Sequence, residues 1–396
     1  MKRLLLIISC ATIVALMSCD KTLTENYTPS FNPELLGEDA VPLTFSNIEY
    51  AEGNGFTVMR GAEEAKKVTL QETAEPLYVS YEEGCEEDDE SMCLEMTAVE
   101  RPDLTAEEVA EKYGTRAAPV TDFASKYSVR GIGLYAYVFP ANESWNASKH
   151  TSEYIHNLGM RPNPTTGLWT PNWEETTTEN GESITRYHWY FWPGPQYKIR
   201  FYAYAPYRGD DHYKGIGIYT NMDLKTSAIT GAPEITYGIP ATIKNHFDFC
   251  IAKTDDITGD YNKAHHLKFR HMMTAVQIVI GKNMPKDVIT KIQMVEMWRT
   301  GTIDLETQTW SIARDFREND PNNDNATHFI IEKEIPITGQ GQIVNSGDDM
   351  FMLLPTTTYE GARVEITFKK AGVKIFDIGN QNWTPGSMVT YTLNKK

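Results

Sequence analysis

Cysteine is scarce in this chain, with five in 396 residues. That number is far too low for a fold stapled by disulfides in place of a hydrophobic core. Positive charge is also short. Lys and Arg total 37 against 54 Asp and Glu, for a net charge of −17. This balance argues against nucleic acid as a partner and against attraction to anionic lipid surfaces. After the first sixteen residues no apolar run is long enough to span a bilayer. There is no G-x-S-x-G, H-E-x-x-H, P-loop or G-x-G-x-x-G pattern. The expectation is therefore a protein that is not an enzyme and needs no cofactor or metal. Helix signals are almost missing. The one convincing case is Thr105-Ala106-Glu107-Glu108, a capping-box pattern leading into Val109, Ala110 and Tyr113 before Gly114, a short helix near 105–113.

What the chain does have begins at its start. Lys2 and Arg3 precede an apolar stretch from Leu4 to Leu16, and small Ser18 stands just before Cys19 and Asp20. The apolar stretch is too short to cross a membrane and has the flanks of a removable export signal. Leu16-Met17-Ser18-Cys19 resembles the lipobox of bacterial lipoproteins, with an ordinary secretory signal as the alternative. The resemblance implies a signal peptide over 1–18 and a lipid on Cys19. Each buried methylene of such a lipid adds about 0.8 kcal/mol of membrane attachment. Losing the signal moves the net charge from −17 to −19. Residues 19–41 are polar, contain Pro29 and Pro33, and read as a lipid-anchored linker. In an oxidising compartment Cys85 and Cys93 can close a small loop, while Cys250 reads as a buried thiol.

From residue 42 onward the pattern is β. Alternating or aromatic-rich runs recur at Leu43–Tyr50, Leu77–Tyr81, Ile132–Phe139, Tyr187–Trp192, Tyr197–Tyr204 and Phe247–Lys253. They continue at Leu267–Ile280, Ile292–Trp298, Phe329–Glu332, Met350–Leu354, Val364–Phe368 and Met388–Leu393. Turn-forming clusters separate them. In Leu267–Ile280 the inward parity changes, which predicts a β-bulge near Met272–Thr274. Many short strands indicate an all-β protein of two sandwiches in tandem, over 42–257 and 258–396.

Residues able to carry chemistry are few. His265 and His271 share one parity of a strand, but two histidines so placed are usually structural. The stretch Asp320 to Asn325 begins like a calcium loop, yet Asn325 and Ile331 stand where the EF-hand needs Gly and Glu. The acidic run from Glu82 to Glu90 reads as a solvated loop tip. The aromatic block from Tyr187 to Tyr204 is the strongest compositional feature. Its reading as sandwich core competes with a second, in which exposed rings stack on sugars and the protein is a monomeric glycan-binding surface lipoprotein.

Three stretches together resemble the fimbrillin-like lipoproteins of Bacteroidales, the Mfa-like and type V pilus subunits. The first is Trp192-Pro193-Gly194 with Tyr197 and Phe201-Tyr202-Ala203-Tyr204-Ala205-Pro206. The second is Asp248-Phe249-Cys250-Ile251-Ala252 followed by His266 to Val276. The third is Trp383-Thr384-Pro385-Gly386 with Met388 to Leu393. Thr115-Arg116-Ala117 is also typical of the group, and the likeness spans about residues 115–396. The resemblance implies two transthyretin-like sandwiches and a lipoprotein at the outer membrane and cell surface. An arginine-specific protease would remove the first strand, and a neighbouring subunit's strand would fill the groove. Leu43 and Phe45 would then be the groove fillers of the sacrificial strand, with cleavage at Arg60 or Arg116. The implied partners are other fimbrial subunits, the outer membrane through the lipid anchor, and a host protein or glycan. The chain stops three residues beyond Leu393, which leans toward a tip, accessory or anchor position over a stalk one.

Overall fold

The computed structural model describes residues 41–50, 77–78, 92–100, 131–162, 167–171, 173–179, 182–207, 222–224, 230–312 and 328–395. The expected helix near 105–113, Cys19, Arg60, Cys85, Arg116, the acidic run and Asp320–Asn325 lie outside these residues. The described residues are all-β, and their only helical pieces are the 3-10 turns Ile243–Asn245 and Gly347–Asp349.

The strands run in chain order as follows. β1 is Phe45–Tyr50, β2 Leu77–Tyr78, β3 Met92–Glu100, β4 Ile132–Pro140, β5 Ile155–Pro162 and β6 Trp169–Thr170. Next come β7 Trp173–Glu179, β8 Glu182–His188, β9 Tyr197–Ala205, β10 Met222–Leu224, β11 Glu234–Gly238 and β12 Cys250–Lys253. Then follow β13 Ile257–Thr258, β14 His265–His271, β15 Thr274–Ile280, β16 Val288–Val295, β17 Thr300–Asp304 and β18 Thr309–Ile312. The last are β19 Phe329–Pro336, β20 Phe351–Leu353, β21 Arg363–Phe368, β22 Gly372–Asp377 and β23 Ser387–Lys395.

The first sheet closes on itself. Its order is β12-β14-β1-β6-β5-β4-β9, and β9 pairs back to β12. β13 occupies the remaining length of the same β9 edge. Strand alternation explains what fills this barrel. Ile132, Leu134, Ala136 and Val138 of β4 meet Ile199, Phe201, Ala203 and Ala205 of β9 and Leu267 and Phe269 of β14 in one core. The opposite parity, Tyr135 and Tyr137 of β4 with Tyr202 and Tyr204 of β9, points into the second core. Tyr204 leaves no room on its neighbour: a Cβ on Gly133 would lie 2.0 Å from its ring.

That second core belongs to a sandwich of the sheets β2-β3-β23-β15-β20 and β19-β16-β21-β22. The small sheet β10-β11-β17-β18 adds Ile235, Tyr237 and Ile303 to it. Val364, Ile366 and Phe368 are buried, alternating with half-buried Arg363, Glu365 and Thr367.

Two expectations change. The parity switch at Met272–Thr274 is a change of sheet, not a bulge. β14 ends at His271 in the barrel and β15 starts at Thr274 in the sandwich. At Met272–Met273 the chain passes from the first sheet into the sheet of β23. β3, from the N-terminal part, pairs with β23 over nine residues in the second unit. Finally, Tyr187–Trp192 is not a strand of its own: β8 ends at His188, and an extended connection follows.

Asp287 ties the end of one hairpin to another strand. Its carboxylate accepts the Val288 N–H at 2.7 Å, the Ala371 N–H at 3.0 Å and the Lys370 N–H at 3.1 Å. Burial pushes the Asp287 carboxyl up, but these backbone donors outweigh it and hold the group below its ordinary value. A carboxylate whose folded value is depressed stabilises above the unfolded pKa of about 3.9 and loses that contribution as pH falls through the folded one. Asp287→Asn should therefore lower the unfolding midpoint at neutral pH. The gap to the unmodified chain should narrow below about pH 4 in a denaturation series.

Candidate functional site

The first strand is the stave on which barrel closure depends. β1 runs parallel to β14, with Ile48 opposite Leu267 and Tyr50 opposite Phe269. On its other side it meets β6 through the pair Phe45 and Trp169. The preceding residues are held as firmly. The Leu43 N–H donates to the Tyr190 carbonyl at 2.8 Å, and the Trp192 N–H donates to the Val41 carbonyl at 2.9 Å. The His265 N–H reaches the Thr44 carbonyl at 2.9 Å, and the Thr170 hydroxyl donates to the Leu43 carbonyl at 3.1 Å.

Leu43 and Phe45 are both fully buried. Phe45 stands edge-on to Phe201 with ring centroids 5.2 Å apart, and Trp192 meets the same ring at 6.2 Å. The lining around them is apolar, so a barrel without β1 would show water a groove bounded by two unpaired strand edges. Sequence reasoning finds the strand and its two buried side chains. It does not find the neighbours, because β14 and β6 carry no local signal of what they pair with.

Elsewhere the candidate residues separate. His265 and His271 stand six residues apart on β14, about 20 Å at strand rise, and cannot share a ligand. Tyr261 packs edge-on to His265 at 5.4 Å. Burial, and then the neighbouring His266, lower the His265 pKa. Cys93 is buried on β3, and its expected partner Cys85 lies outside the described residues. Of the aromatic block, Trp192, Phe201, Tyr202 and Tyr204 are core, which is the structural reading. Among the block's described side chains, Trp189 is exposed, at 44%, and stacked on Phe191 at 6.4 Å.

A fimbrillin-like family model matches residues 115–396. The chain belongs to the fimbrillin-like family. A relative, fimbrium subunit Fim1C of Phocaeicola vulgatus, is 29% identical over 171 residues, covering 41% of this chain and 39% of Fim1C. This fimbrillin-like chain thus aligns with well under half the length of that relative. Among solved structures it is similar to a fimbrial protein from Bacteroides vulgatus at 14% identity and TM-score 0.44, covering 69% of this chain and 94% of that one. It is also similar to a fimbrial assembly protein from Parabacteroides distasonis at 9% identity and TM-score 0.29, covering 68% and 85%.

Truncation of the β1 anchors tests how much the barrel relies on them. Phe45→Ala should destabilise the purified chain by about 3–5 kcal/mol and Leu43→Ala by about 2–5 kcal/mol in urea unfolding. Trp189→Ala, at the surface, should stay within about 0.5 kcal/mol of the unmodified chain.

Proposed function

We propose that this fimbrillin-like chain is a non-catalytic structural or adhesive subunit of cell-surface fimbriae. It is exported as an outer-membrane lipoprotein on Cys19 and assembled by strand exchange once a protease has cut behind β1. The observation that carries the reading is the seat of β1. With the residues just ahead of it, it fills an apolar groove by backbone pairing on both sides and the inserted side chains of Leu43 and Phe45, the interaction that a donor strand from another subunit would reproduce. A donor taking that seat would run parallel to β14 and antiparallel to β6. On this reading the two units are the family's transthyretin-like sandwiches, the first completed by its removable strand.

The two candidate cleavage sites have different consequences. A cut after Arg60 frees the segment carrying β1 alone. A cut after Arg116 also severs β2 and β3 from the body, and with β3 goes one side of β23. β23 itself is paired on both flanks, and Met388, Val389, Tyr391 and Leu393 are buried. It is thus committed within its own chain, which supports a tip, accessory or anchor position over a stalk position.

The alternative, glycan binding by a monomer, is supported by the exposed Trp189 stacked on Phe191. The experiment is digestion of the purified protein with an arginine-specific protease, followed by electrophoresis and hydrogen exchange. A discrete N-terminal cut with a ladder of polymers supports assembly. Raised exchange at Met388–Leu393 after displacement marks Arg116, and unchanged exchange there marks Arg60. Maturation unaffected by Arg60→Ala and by Arg116→Ala would overturn the cleavage step. An unpolymerised product whose polysaccharide binding is lost in Trp189→Ala would favour the alternative.

A further inference from the structure

At one end of the barrel, three different donor atoms meet. Cys250 on β12 stands opposite His271 on β14, and Asp248 lies just ahead of β12. His271 Nδ1 is 2.5 Å from Asp248 Oδ2 and 3.8 Å from Cys250 Sγ. All three ligand atoms fall within 4.8 Å of one another. Asp248 and Cys250 are buried at 3% and 0% exposure, while the His271 side chain keeps 13% and gives the cluster access to water.

We propose that Asp248, Cys250 and His271 form a divalent transition-metal site, with zinc as the ion it fits best. One sulfur, one imidazole nitrogen and one carboxylate are the donor types of tetrahedral zinc, and they are too few in oxygen for calcium or magnesium. Charge supports the same choice. A thiolate and a carboxylate carry two negative charges, so a divalent ion leaves the buried cluster neutral, where the bare anions would be costly. Geometry is close. Zinc ligation at about 2.0–2.3 Å sets ligand atoms about 3.3–3.7 Å apart. The Cys250–His271 spacing already suits this, and the Asp248–His271 pair has to open by about 1 Å. Water reaching past His271 supplies the fourth ligand. Binding releases the Cys250 thiol proton, so affinity falls as the medium is acidified. The metal's effect is to clamp β12 to β14 beside the point where the chain leaves the barrel. No step of the strand-exchange reading depends on it.

The test is a cobalt(II) titration of the purified, reduced full chain, followed by displacement with zinc. The expected result is one equivalent bound, with tetrahedral cobalt absorption and a thiolate-to-metal charge-transfer band. That band should vanish in Cys250→Ser, and binding should weaken at least tenfold in Asp248→Asn and His271→Asn. A second readout needs no variant: zinc should slow alkylation of Cys250 at a urea concentration where this buried thiol of the metal-free chain reacts measurably, followed by peptide mass spectrometry. A chain that gives no such spectrum, a band that survives in folded Cys250→Ser, or alkylation of Cys250 indifferent to zinc would each overturn the proposal.

Discussion

Closure of the first sheet is the constraint from which the rest of the molecule follows. A sheet with a free edge presents unpaired backbone groups, and a closed barrel presents none. Here the closing stave comes from the start of the described chain, while its parallel neighbour comes from far downstream. The cost of joining such distant segments is met by dense apolar contact. Leu43 and Phe45 are driven into a core already lined by Trp169, Trp192 and Phe201. Without that contact, the parallel pairing would have little to hold it in place.

The barrel wall formed by β4, β9 and β12 then serves a second purpose. Its outward face is as buried as its inward one, because the tyrosines of β4 and β9 are covered by the neighbouring core. Three of those phenols have hydrogen-bonded hydroxyls. Tyr137 donates to the Gly231 carbonyl at 2.6 Å, Tyr204 to Asn157 Oδ1 at 2.7 Å, and Tyr202 to Glu306. Burial first, and then the Glu306 hydrogen bond, push the Tyr202 phenol above its usual range, so it stays a donor. Glu306 also receives Arg200 at 3.4 Å and, through its carbonyl, Lys253 at 2.6 Å. The β17–β18 turn is thereby fastened to the barrel wall.

Much of this is readable in the sequence, and the unread part has a physical cause. The alternations of β4, β9 and β21 are local, so they identify strands and inward faces directly. Alternation also marks the run that holds Leu43 and Phe45 as a strand, while their role as groove fillers comes from the family resemblance. Parallel pairing of β1 with β14, and the nine-residue pairing of β3 with β23, are long-range choices with no local mark. The shift of parity at Met272 was visible, but a bulge and a change of sheet leave the same trace in a strand pattern. The convergence of Asp248 with His271 was hidden for a similar reason, since register across strands decides it and spacing along the chain does not.

That change of sheet has a mechanical consequence. Met272 and Met273, the only residues between β14 and β15, are both buried. The Met272 N–H donates to the Phe249 carbonyl at 2.8 Å, its carbonyl accepts the Trp310 indole N–H at 2.8 Å, and the Met273 carbonyl accepts the Gly386 N–H at 3.1 Å. The joint is bolted on several sides and leaves no slack for a hinge. Bending the last strand of the barrel against the first strand of the sandwich would first have to break all three of these bonds.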